Sequence, residues 1–123
     1  MSNIKAYPDI NQCKKLAEIL SIESADMGWY YSCNPQAARN QMWVGTKPEN
    51  ADVPCWSLAA LLSIIKDKCS YFELIYLKST IDGRANRLEN VHRLSTDVYD
   101  IYEKEAIDAC YEMILKLHEL KML

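Results

Sequence analysis

The residues able to do chemistry in this chain are two histidines, five cysteines and several closely spaced acids. His92 and His118 lie far apart, and neither belongs to H-E-x-x-H. Cys13, Cys33, Cys55, Cys69 and Cys110 are odd in number, widely separated and without a C-x-x-C. Structural zinc and redox-active dithiols both draw on local pairs of ligands, so this spacing predicts buried free thiols and no metal site. Glu23 with Asp26, and Asp97 with Asp100, have the spacing of a general acid–base pair or of Mg²⁺ ligands, but also of an ordinary solvated face. There is no G-x-S-x-G elbow and no G-x-x-x-x-G-K-[ST] loop, and three glycines in all are too few for a phosphate cradle. A Cys–His pair assembled only in space stays open. No catalytic residue and no cofactor is expected.

The whole chain sets the frame. Its 123 residues suit one domain spanning 1–123, since two separate cores would each bury too little surface. Half of the residues are hydrophobic and a quarter charged, with eight tyrosines and three tryptophans, so a compact soluble fold is expected rather than disorder. The net charge of −3 and the pI of about 5.4 argue against a general electrostatic grip on nucleic acid or anionic membrane. Arg84, Arg87 and Arg93 remain a candidate local basic patch, opposed by the acids between Asp97 and Asp108. No secretion signal opens the sequence, and no apolar run approaches the roughly 20 residues of a membrane helix. A cytoplasmic location is expected.

Asp9 and Gln12 have capping-box spacing ahead of a helix whose apolar positions are Ile10, Cys13, Leu16, Ala17 and Leu20. Ser21 to Gly28 reads as a short extra turn ending on the glycine. Trp29, Tyr30 and Tyr31 follow, then a loop around Asn34 and Pro35, and a short strand over Gln41 to Val44. In DVPCWSLAALLSII, Asp52 is placed to cap a helix with Pro54 in its first turn and Leu58, Leu61, Leu62 and Ile65 on one face. Pro54, Cys55 and Trp56 are then a structural anchor, with the tryptophan wedged beneath the helix start.

Tyr71 to Lys78 has the composition of a buried strand, and Asp82-Gly83 is a hairpin turn signal. Further strands are expected within Asn86 to Leu94 and over Asp97 to Glu103. A last helix from about Lys104 to Leu120 carries Ile107, Cys110, Tyr111, Ile114 and Leu117 on one face. The expected fold is α+β: N-terminal helices, a three-stranded antiparallel meander, and a C-terminal helix packed on the sheet. The double-stranded RNA-binding domain shares this outline but meets phosphates with basic residues at its last helix; here that region reads DIYEKEAID.

The segments CKKLAEILSIESADMGWY, DVPCWSLAALLSII and EAIDACYEMILKLHEL together resemble an uncharacterised family of small phage- and prophage-associated proteins of gut Bacteroidetes. The resemblance covers most of the chain and is carried above all by Glu23 to Met27 and Pro54 to Leu58. The middle departs from it, with Asp82-Gly83 and a charged second strand where a more glycine-rich hairpin belongs. It implies an origin in a phage or mobile element and no catalytic residue.

The expected function is that of a small accessory protein binding another protein or itself, without catalytic activity. Trp29, Tyr30, Tyr31 and Trp43 form the candidate interaction surface, because aromatic rings give large contact area at low entropy cost. Two alternatives stay open: a nucleic-acid-associated protein using Arg84, Arg87 and Arg93, and a small-molecule binder or unrecognised hydrolase. No membrane partner is expected.

Overall fold

The computed structural model describes residues 4–31, 42–46 and 48–123. Cys33, the expected loop at Asn34 and Pro35, and Gln41 lie outside the described residues. The chain folds as α+β with two antiparallel three-stranded sheets rather than the single meander the sequence predicts. The C-terminal sheet, β4 (Phe72–Ile81), β5 (Arg87–Thr96) and β6 (Asp100–Glu103), is that meander, in the order β4-β5-β6. The second sheet joins β1 (Met27–Tyr31), which overlaps the end of the expected turn and the aromatic cluster, the expected short strand, β2 (Met42–Gly45), and β3 (Val53–Cys55), which reads as a helix start, in the order β2-β1-β3.

Gly28 is therefore no helix exit. It lies inside β1, opposite Gly45 on one side and Pro54 on the other, and a methyl group placed on it would overlap the Cβ of Ala51. Glycine serves there because the Ala51 side chain packs directly onto its Cα and leaves no room for a Cβ. Likewise Pro54 belongs to an edge strand, where the lack of an N–H is tolerated, and not to a helical first turn.

Among the described residues there are three α-helices; the first and third pack on the sheets, and the second packs against the third. In α1 (Ile10–Ile19), Asp9 accepts from the backbone of Gln12 and the Gln12 side chain accepts from the Asp9 N–H, completing the capping box. Helix α2 (Leu58–Lys68) starts later than expected, capped by Ser57 rather than Asp52, with Ser57 Oγ accepting from the Ala60 N–H at 3.2 Å. Helix α3 (Ala106–Glu119) packs on β5 and β6 and against α2. Its seam of Ile107, Cys110, Met113, Ile114 and Leu117 is fully buried and, with Leu16, Trp56, Leu61, Ile65 and Leu94, makes the main core.

Cys13, Val53 and Cys55 form a smaller core between α1 and β3, lined by Tyr7, Ile10, Met27 and Trp29. Helix α1 thus joins the two: Cys13 enters the small core while Leu16 and Leu20 enter the large one. Ala17, expected on the apolar face, is exposed. Lys5 ties the start of the described chain to α3, its ammonium donating to Asp108 at 2.7 Å and Gln12 at 2.9 Å.

The β4–β5 hairpin closes differently from the glycine turn its sequence suggests. Asp82 Oδ1 accepts from the backbone N–H groups of Arg84, at 2.8 Å, and Asn86, at 3.0 Å. These bonds hold the Asp82 carboxyl below its usual range. The left-handed position falls on Ala85, at φ 64°, while Gly83 has no positive φ. An alanine pays for its Cβ there, so Ala85→Gly is expected to stabilise the protein by about 0.5–1 kcal/mol in denaturant melts.

Candidate functional site

The C-terminal sheet is uneven in length. Strands β4 and β5 stay in register from Phe72↔Thr96 to Ile81↔Arg87, whereas β6 pairs only with His92 to Ser95. Beyond it the hairpin continues as a two-stranded ribbon. Residues of its tip, Asp82, Arg84 and Asn86, line a cleft of about 720 Å³ together with Asp97, Tyr99 and Asp100 from the far end of β5 and the turn that follows. The ribbon must curl for both ends to frame one cleft. Asn90, at φ 54° within β5, gives the strand a bend, and its Oδ1 accepts from the Tyr76 hydroxyl at 3.0 Å.

Among the described residues the sheets expose four strand edges. Three are blunted by brevity: β2 and β6 have four residues each and β3 has three. The fourth, β4, runs for ten residues and pairs only with β5. It contains no proline and no glycine, and its charges are Glu73 and Lys78. Tyr76 is 51% exposed and Ile81 68%, with Tyr71 exposed just before the strand. A strand of this length offers a row of backbone donors and acceptors to another chain, flanked by rings and an isoleucine that gain from leaving water.

The sequence-selected aromatics are divided. Trp29 turns into the small core, its ring edge-on to Tyr7 at 5.6 Å. Tyr30 is half-buried on the same strand. Tyr31 and Trp43 lie in β1 and β2, with Tyr30 opposite Trp43, and their side chains lie outside the described residues.

Each of the three arginines lies near acids. Arg87 Nε lies 3.5 Å from Glu89, Arg93 Nη2 lies 3.4 Å from Glu73, and Arg84 shares the cleft with Asp82, Asp97 and Asp100. That cleft is wide-mouthed and polar, unlike the enclosed apolar pockets that hold small molecules.

Pro54, Cys55 and Trp56 sit at the junction of the two sheets' cores. Trp56 is fully buried and its indole N–H donates to Ser24 Oγ at 2.9 Å, while Asp26 accepts from both the backbone and the hydroxyl of Ser57. The segments Glu23 to Met27 and Pro54 to Leu58 are therefore joined to each other in space. Four further candidate groups are also engaged. Asp97 accepts from the Ser70 N–H at 2.9 Å, Asp100 from the Ser95 hydroxyl at 2.6 Å, and the His92 and His118 Nδ1–H groups donate to the carbonyls of Lys104 and Leu123.

Among the described residues no three His, Cys, Asp or Glu side chains gather as a metal site, and no helix is long and apolar enough to cross a membrane. Cys13 and Cys55 do come together, which their spacing conceals. Comparison with known proteins finds no matching family model and no significant match to a curated protein or a solved structure.

Proposed function

We propose that this chain is a small accessory protein of a phage or mobile element that acts by protein–protein interaction, with the free edge of β4 as its docking strand. The observation that carries this reading is the ten-residue edge, unpaired among the described residues and flanked by exposed Tyr76 and Ile81. Strand addition takes its affinity from main-chain hydrogen bonds and its selectivity from alternate side chains. The simplest occupant is a second copy of the chain, because a strand edge is self-complementary about a two-fold axis. The pairing would join two three-stranded sheets into one of six strands. No catalytic residue enters this reading.

Sedimentation velocity over a wide concentration range tests it. The expected result is a reversible dimer that the Tyr76→Lys, Ile81→Lys double variant weakens at least tenfold, about 1.4 kcal/mol, with its circular dichroism unchanged. Both side chains are exposed, so the substitutions place like charges across the joint without emptying the core. A chain that stays monomeric throughout, or a dimer indifferent to both substitutions, would remove β4 self-pairing.

A further inference from the structure

We infer that two copies of the chain join through β4 in a single register, with Tyr76 on the two-fold axis facing the partner's Tyr76. The inference rests on the docking strand proposed above and adds where along it the two chains meet. The large apolar side chains that stand in water along this edge are Tyr71, Tyr76 and Ile81, at 56%, 51% and 68% exposure. They lie five positions apart, so the set is symmetric about Tyr76. An axis through Tyr76 sets that ring against its own copy and each Tyr71 against the partner's Ile81. All three then leave water together.

Symmetry leaves few other choices. A continuous antiparallel sheet needs its two-fold axis perpendicular to the sheet, and directly opposed side chains must share a face. The axis therefore passes through a residue position, and each step of one residue shifts every opposed pair by two. With the axis at Tyr76, Ile75 meets the partner's Leu77, Glu73 meets Ser79 and Lys78 meets Leu74. With the axis at Leu77, Tyr76 faces Lys78 and Glu73 faces Ile81, setting charges against the groups that most need an apolar neighbour. An axis at Ile75 puts Tyr71 opposite Ser79 and leaves Ile81 beyond the start of the partner's strand. Axes at Glu73 or Lys78 oppose like charges and shorten the ladder.

Tyr76 is also ordered in advance. Its hydroxyl donates to Asn90 Oδ1 at 3.0 Å, and its ring leans on the His92 imidazole with centroids 5.2 Å apart. A ring already held in place loses little freedom when a second ring meets it. Helix α3 packs on β5 and β6, so its bulk lies away from the β4 edge.

Disulfide cross-linking of introduced cysteines reads the register. Directly opposed Cβ atoms lie about 4.5–5.5 Å apart, within reach of a disulfide, and those two positions off lie about 7–8 Å apart, beyond it. Full-length Tyr76→Cys, oxidised mildly at a concentration where the parent chain sediments as a dimer, is expected to link to its own copy about tenfold faster than Glu73→Cys or Lys78→Cys. An equal mixture of Tyr71→Cys and Ile81→Cys should give the mixed link and neither self-link. These side chains are exposed, so the substitutions leave the core intact, and mass spectrometry of the linked peptides separates them from the native cysteines. A parent dimer that yields neither link overturns the register. So does a mixed link between Tyr76→Cys and Lys78→Cys formed in preference to the Tyr76→Cys self-link, or a self-link of Tyr71→Cys. A parent chain that sediments as a monomer throughout overturns the docking strand itself.

Discussion

Trp56→Ala is expected to cost about 3–5 kcal/mol, lowering the melting temperature by roughly 10–20 °C for a domain of this size. The side chain is fully buried in the main core, so its removal forfeits transfer free energy and opens a cavity bounded by elements that cannot all collapse inward. It also leaves the Ser24 hydroxyl without its indole donor. Trp56→Phe isolates that last contribution and should lose far less. The loss is large against the 5–15 kcal/mol that holds a domain together. Were the tryptophan instead the rim of a ligand pocket, the alanine variant would melt with the parent, within about 0.5 kcal/mol.

Ile114→Ala is expected to cost about 2–5 kcal/mol in urea melts, while Glu112→Ala, two positions earlier on the exposed side of the same helix, should stay within about 0.5 kcal/mol. Ile114 lies in the fully buried seam of α3, which covers β5 and β6. A similar effect at both positions would mean that α3 does not face the sheet in the orientation described. The denaturant slope should be unchanged in the Ile114 variant, since a cavity lowers stability without altering the surface exposed on unfolding.

The C-terminal half of this fold was legible because its signals are long. Ile107, Cys110, Ile114 and Leu117 repeat over several turns of α3, and β4 has ten residues in which to declare itself. The capping box at Asp9 and Gln12 was equally plain, since it depends on two residues three apart. The N-terminal sheet was hidden for the opposite reason. A strand of three residues, Val53–Cys55, is too short to show a pattern and contains a proline, and its partner Met27–Tyr31 contains, at its second position, the glycine that suggests a turn. Only pairing between segments distant in sequence makes either one a strand, and single-sequence periodicity cannot register that.

The candidate sites divide along the same line. Neither the closeness of Cys13 to Cys55 nor the bond of Asp26 to Ser57 leaves a trace in local spacing. Trp29 reads as an aromatic able to face a partner, and its place in β1 turns it toward the small core instead. The β4 strand is plain in YFELIYLK, but whether a strand lies at the margin of a sheet depends on the order of strands, which the sequence does not declare.

Amide hydrogen exchange along β4, measured in dilute and in concentrated protein, tests the proposed docking strand most directly. The expected result is fast exchange of alternate amides between Phe72 and Ile81 when dilute, where their N–H groups face water, and marked slowing on concentration with little change in β5, whose amides are already paired. Slowing confined to β1 and β2, or an exchange pattern in β4 that does not respond to concentration, would contradict it.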